Sequence, residues 1–305
     1  MVNMNDQWRQ WVDSDTGEMV EGMLITKEEF EEKAEKQKNK EEGYFRKNKN
    51  DALFMFIDEN YGSFYFNNYT KLLKALNNDS ALLFRFLYLC TFADYDNYLK
   101  FGEFKNNTHH AYMKETDFEE VFGLSRRSIL TLKTDLISNK LIKIFDDGRI
   151  MINSNFYSRG ILKDNDMLNS SRVFDNGIRE LYFQSKIREH KKIGIIVVLL
   201  PYLNKFHNVL CKRPFEENIE NIQPLNLTEI CKILDYDDQN KDKIKKNLQS
   251  ITVGGDPMVA YVSHALGKFF IVNPAIFYKG NNLSDLKSLI NIFKVRSPKN
   301  DSKLS

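Results

Sequence analysis

The chain repeats itself, and that repeat constrains its fold more than any other feature. Met113–Ser125 aligns on Leu225–Asp237 at an offset of 112, placing Thr116 on Thr228, Phe118 on Ile230, Val121 on Ile233 and Phe122 on Leu234. The same offset lays the apolar run Ala81–Cys90 on Ile193–Tyr202. Further on, Gly148–Asn153 matches Gly267–Asn273, and Phe156–Gly160 matches Ile276–Gly280 at an offset of 120. The second copy therefore carries about eight extra residues before its last strand. Two unrelated small domains of one class would explain a single match. Three matches in one order are read here as a duplication.

Each copy reads as three helices followed by two strands. In the first, Ser80–Cys90 is apolar on nearly every side, as a central helix must be. Thr116 is expected to cap a short helix, Asp117–Phe122, with Glu119 three residues on. Gly123 supplies a turn, and Ser125 caps a longer helix over about Arg126–Asn139, with Ile129, Leu132 and Leu136 on one face. Leu141–Phe145 and Arg149–Asn153 are strands joined by a tight turn at Asp146–Gly148. In the second copy Thr228 is expected to cap Glu229–Leu234. Asp237 or Asp238 should cap a helix over about Gln239–Ile251, whose apolar face is Ile244, Leu248 and Ile251. A longer hairpin, Val259–Ser263 with Lys268–Val272, follows the turn at Val253–Met258. A short helix, a turn, a capped helix and a basic-tipped hairpin describe a winged helix-turn-helix.

The expected fold is thus mainly α with a small β component (α+β): two tandem winged helices plus an N-terminal arm. Trp8–Val12 and Glu18–Leu24 should form a hairpin around Ser14–Gly17. Thr26–Glu29 is a capping box that opens a charged helix to about Glu42, read as a solvated arm. The aromatic-rich stretch Asp51–Leu76 is expected to pack on the first unit, and Lys163–Ser171 reads as the linker. The boundaries are 1–50 for the arm, 51–162 and 172–295 for the two units, and 296–305 for a basic disordered tail. Ser284 is expected to cap a last helix whose face is Leu286, Leu289, Ile290 and Phe293. That face closes the second unit in the simpler reading, or joins two chains in the other.

Composition excludes several classes. Hydrophobic residues make up 42% of 305, with 23 Phe, which is enough for packed cores and argues against global disorder. No apolar run reaches the ~18 residues of a membrane span. The N-terminus has no secretory pattern, and three scattered cysteines (Cys90, Cys211, Cys231) suit free thiols in a reducing cytoplasm. The net charge of +2 decides nothing about nucleic acid, so local clusters must.

Catalytic patterns are missing. There is no GxxxxGK[ST] phosphate loop, no GxGxxG after a strand and no GxSxG elbow. His109-His110 is read as surface histidine in a polar loop, and no Cys/His spacing fits zinc. The expectation is a protein that is not an enzyme and takes no cofactor and no metal.

The candidate interface is the outer face of each third helix. Ser125, Arg126, Arg127, Ser128 and Thr131 gather at the first turns of one, with Lys133 further along and Arg149 on the hairpin. Arg binds guanine O6 and N7 bidentately, Ser and Thr reach phosphates or base edges, and a helix N-terminus favours phosphate. Alone, the two arginines would read as solubilising; with the Gly turn and the hairpin they read as DNA contacts. The second helix offers Asn240, Lys241, Lys245 and Lys246, with Lys268 on its hairpin. Lysine reads phosphate better than sequence, so this unit would supply affinity and the first would supply selection. Asp237, Asp238 and Asp242 nearby leave a merely solvated lysine face as the alternative. Dimerisation or partner binding by either unit is a further alternative.

Gly123–Ile129, Leu136–Ile142 and Gly148–Phe156 through Gly160, with Val12–Glu18 near the start, resemble Firmicute plasmid and phage replication proteins of the Rep-L kind. The first copy departs from their pattern at Ser154, where the family has proline; the second has the fuller Asn273-Pro274. The match covers about one copy plus the N-terminal hairpin, while the tandem arrangement is similar to that of iteron-plasmid initiators. The resemblance implies a cytoplasmic protein that binds double-stranded DNA repeats at an origin and recruits host replication machinery, with no membrane association and with homodimerisation open. A transcriptional regulator acting with host transcription machinery is the alternative. A phage protein that binds a host protein through these domains is the third reading.

Overall fold

The computed structural model describes residues 8–12, 19–23, 31, 35, 52–104, 107–159, 170–264 and 267–296. The chain divides into two units, residues 1–52 and 53–305.

In the first unit, β1 (Trp8–Val12) and β2 (Met19–Met23) pair antiparallel with Trp8 opposite Met23. Their connecting turn at Ser14–Gly17 lies outside the described residues. So does the expected helix from Thr26 to Glu42, apart from Glu31 and Glu35, which are helical.

The second unit mixes α and β, and its two halves follow one plan. The first half starts with a helix over 52–61 (α1), then β3 (Phe64–Asn68), α2 (Tyr69–Ala75) and α3 (Ser80–Cys90). β4 (Lys100–Phe104) and β5 (Asn107–Tyr112), α4 (Phe118–Phe122), α5 (Arg126–Ser138), β6 (Ile142–Ile144), β7 (Ile150–Ile152) and β8 (Tyr157–Ser158) follow. The second half runs β9 (Ser170–Phe174), α6 (Asp175–Gln184), α7 (His190–Leu199), α8 (Leu227–Ile233), α9 (Lys241–Gln249), a two-residue hairpin β10–β11 (Thr252–Val253, Asp256–Pro257), β12 (Val259–His264), β13 (Gly267–Val272), β14 (Phe277–Tyr278) and α10 (Leu283–Arg296).

The halves share a four-stranded sheet in the order β14-β9-β3-β8. At its centre β3 and β9 run antiparallel with Phe66 opposite Arg172, Phe64 opposite Phe174 and Asn68 opposite Ser170. Each outer strand keeps the same register on its own half: Ser158 opposes Phe66 and Tyr278 opposes Arg172, while Tyr157 opposes Asn67 and Phe277 opposes Val173. A two-fold axis through the Phe66–Arg172 pair thus relates one half to the other. The finer hydrogen bonds obey the same relation. Leu99 N–H donates to the Ile150 carbonyl and Leu210 N–H to that of Phe270, both at 2.9 Å. Asn97 and Asn208, both left-handed (φ 67° and 51°), accept from Ile152 and Val272. Gly123 and Asp235, 112 residues apart, are the left-handed residues after α4 and α8 (φ 60° and 56°).

The core follows from the same arrangement. α3 and α7 are apolar on nearly every side, so each must be covered all round, and they cover one another. Gly194 on α7 meets the Ser80 backbone of α3 directly; a Cβ there would overlap the Ser80 carbonyl group and lie 3.0 Å from its Cα. One hydrophobic cluster runs through both halves, from Tyr65 to Phe277. A second joins Leu53 and Ile57 of α1 to Leu286, Leu289 and Phe293 of α10.

Several expectations are corrected. Ser170 and Ser171, read as the end of a linker, are buried residues of a central strand. The stretch from Asp51 does not serve the first half alone, since α1 packs on the last helix of the second. His109-His110 lies on strand β5, not in a loop. The last helix extends to Arg296, the first residue of the expected tail. The apolar face of that helix is buried within the chain.

Helix caps shift as well. Thr116 does not cap: a 3-10 turn, Glu115–Asp117, precedes α4, and the Asp117 carboxylate accepts from Lys114 N–H at 2.7 Å. Asn226 rather than Thr228 caps α8, in a reciprocal box with Glu229 at 2.9 and 3.0 Å. A 3-10 turn, Asp238–Asn240, opens α9, and neither Asp237 nor Asp238 makes a side-chain cap there. Asn282 accepts from Ser284 N–H at 2.9 Å, so Ser284 does not cap α10. Ser125 does cap α5, accepting from Ser128 N–H at 3.4 Å. Among the described residues no helix is long and apolar enough to cross a membrane.

Candidate nucleic-acid interface

Three buried side chains aim α5. Ile129, Leu132 and Leu136 sit in the core at 4%, 1% and 0% exposure, so the opposite face is turned outward. The short helix before it is pinned from two directions: Tyr88 of α3 donates its hydroxyl to the Val121 carbonyl at 3.0 Å, and Tyr182 of α6 to that of Phe122 at 2.8 Å. The second half thereby helps position the first half's turn. Gly123 adopts the left-handed conformation with open space around it, and Leu124 is buried beside it.

Arg126 and Arg127 emerge exposed at the first turn of α5. Among the described residues neither has a carboxylate within 4 Å. Ser125 and Ser128 share a hydroxyl–hydroxyl bond of 3.0 Å beside them. Thr131 is exposed, but its hydroxyl donates to the Arg127 carbonyl at 3.2 Å. Two other expected contacts are engaged elsewhere. Lys133 is half-buried in an ion pair with Glu115. Arg149 pairs with Asp147 at 2.6 Å and lies over the rings of Tyr98 and Tyr112, at 5.0 and 5.5 Å. The Arg149 N–H also bonds the Asp147 carboxylate and holds its pKa below the ordinary value.

α9 is anchored by Ile244 and Leu248. Lys241 pairs with Asp238 at 3.1 Å, and Lys245 lies over the Tyr261 ring at 4.3 Å. Asn240 is half-buried in the 3-10 turn. Lys246 and Lys243 are exposed on the helix, and Lys268 is exposed on β13 opposite Ser263. The fold thus separates the expected contacts. Ser125, Arg126, Arg127, Ser128 and Thr131 are brought together; Lys133, Arg149, Lys241 and Lys245 are partly spent on internal partners.

Leu130, 57% exposed, shares this outward face, and neither charge nor hydrogen-bonding capacity points to it. Its signal was available: an apolar residue off the 129/132/136 stripe.

Two strongly perturbed titrating groups lie elsewhere, at the seam of the halves. Arg159 donates to Asp175 at 2.9 and 3.2 Å, both nearly buried; burial pushes the Asp175 carboxyl up to about 6 against the pull of Arg159. Burial pushes His190 down to about 4, where the Arg85 guanidinium also donates to its ring at 3.3 Å. No group of three metal-ligating side chains is found among the described residues.

The chain matches no protein-family model, and neither the curated proteins nor the solved structures yielded a match.

Proposed function

We propose that residues 53–305 form two winged helix-turn-helix units sharing one sheet, and that the protein is a sequence-specific reader of double-stranded DNA. The observation that carries this reading is the first turn of α5, where a serine-capped helix end presents two exposed arginines with no internal partner among the described residues. That chemistry suits guanine edges and flanking phosphates. The two-fold relation of the halves adds a second helix, α9, in the inverse sense. The target is therefore two unequal half-sites: α5 selects bases, while Lys243, Lys246 and Lys268 bind phosphate.

The biological setting we propose is plasmid or phage replication initiation in the cytoplasm, resting on the motif resemblance given above. A transcriptional regulator would use the same face at a promoter. A second reading has its own observation: Lys241 and Lys245 are held internally, so α9 has fewer free cations than its sequence offers and suits a protein partner, host machinery or a second copy.

The test is fluorescence anisotropy on DNA flanking this protein's own gene, across a salt series with competitor. Tight, competitor-resistant binding that falls steeply with salt supports the reading. Equal, weak binding to every duplex refutes it. Footprints on repeats indicate an origin; a footprint over a promoter indicates a regulator.

A further inference from the structure

The outward face of α5 changes chemistry after its first turn. Arg127, Leu130, Thr131 and Thr134 stand at three- and four-residue spacing, so they share one side. Both threonine hydroxyls turn back onto the helix: Thr131 donates to the Arg127 carbonyl at 3.2 Å and Thr134 to the Leu130 carbonyl at 2.9 Å. Each hydroxyl has spent its one proton on the helix, so what the exposed side chain offers outward is acceptor lone pairs and a γ-methyl, not a donor. Between them Leu130 is 57% exposed although buried places exist on the same helix. An exposed leucine and two exposed, back-bonded threonines therefore follow directly on two exposed arginines.

A surface for phosphate alone would gain nothing from this patch. In the major groove one base edge offers a methyl group, the C5 methyl of thymine, and apolar side chains read it. We infer that Leu130, with Thr131 and Thr134, reads thymine methyl groups next to the bases contacted by Arg126 and Arg127. This rests on the proposed DNA-binding reading and names the base chemistry that its first half-site must contain. The arginines fix the occupant, since a polyanion is what two uncompensated cations at the head of the same face attract.

The experiment replaces thymidine by deoxyuridine, one position at a time, in the tightest-binding duplex from the anisotropy screen. Uracil keeps every hydrogen-bonding group of thymine and lacks only the methyl. Burying one such group is worth about a fourfold change in affinity. The expected result is a loss of about that size at one to three neighbouring positions in one half-site, and full affinity elsewhere. Leu130→Ala should bind the thymine duplex more weakly and cease to distinguish uracil at one of those positions. Thr131→Ser and Thr134→Ser keep the back-bonded hydroxyl, remove the methyl, and should do the same at the adjacent ones. Uracil tolerated at every position, or discrimination that survives all three substitutions, overturns the inference while DNA binding stands. Failure to bind any duplex removes the DNA-binding reading itself, and this inference with it.

Discussion

Replacing Gly194 by alanine should destabilise the protein by about 2 kcal/mol, although alanine is the better helix former. Gly194 lies where α7 crosses α3, and the space that a methyl group would occupy already holds the Ser80 carbonyl, with the Ser80 Cα at 3.0 Å. Inserting a methylene into a packed contact costs about 1–3 kcal/mol, and the top of that range applies here because backbone has no alternative rotamer. In an open helix the same change gains about 1 kcal/mol. The difference is a net loss near 2 kcal/mol, enough to lower the guanidinium midpoint by about 0.5 M if the slope is about 4 kcal/mol per M. Far-UV circular dichroism and tyrosine fluorescence report the two halves together, because both central helices meet at this contact. Their transitions should move by the same amount. An unchanged or raised midpoint would show that the helices are not in backbone contact and would refute the packing described.

Other outcomes are equally direct. Arg126→Ala with Arg127→Ala should weaken specific binding at least tenfold and competitor DNA much less, since each bidentate base contact is worth about 1–3 kcal/mol; an unchanged specificity ratio in anisotropy would count against α5. Lys243→Ala with Lys246→Ala should weaken all duplexes alike and reduce the salt slope by about 2. Lys241→Ala with Lys245→Ala should change that slope less, because both cations are engaged internally. Acid titration of stability separates two groups of opposite sign. His190 is held at about 4 in the fold, below its usual 6.5, so its contribution is present above pH 6.5 and is lost as pH falls towards 4. Asp175 is held at about 6, above its usual 3.8, so its protonation stabilises the fold progressively as pH falls from about 6 towards 3.8. Asp175→Asn should therefore steepen the loss of stability from pH 6.5 to 4, and His190→Gln should flatten it, as read from denaturation midpoints against pH.

Local features were legible in the sequence because short-range chemistry dictates them. Ser125, the 129/132/136 stripe and the Gly148 turn placed α5 and its hairpin within a residue or two. Cap choice failed where two good candidates compete. Asn226 wins over Thr228 because Glu229 stands three residues after it and can close the box. The shared sheet was not legible. Ser170-Ser171-Arg172 is polar, and only a partner strand 106 residues away makes it a buried strand. The same limit applies to the site. Arg126 and Arg127 were visible as a pair, but that Lys133 is tied to Glu115 and Arg149 to an aromatic bed depends on residues brought near only by folding.

The pair at the centre of the sheet bears on the freedom of sequence that one chain has and a symmetric dimer lacks. In a symmetric dimer a residue on the two-fold axis always faces its own copy, so only side chains that tolerate themselves are allowed there. An arginine would face an arginine, with both charges nearly buried and no counter-ion between them. Here one chain supplies both sides, and the axis holds Phe66 against Arg172, whose guanidinium lies 5.6 Å from the phenyl ring. Joining two equivalent halves in one polypeptide thus permits a contact that self-association forbids. The same release lets one half keep arginines at its outer helix while the other accumulates lysines.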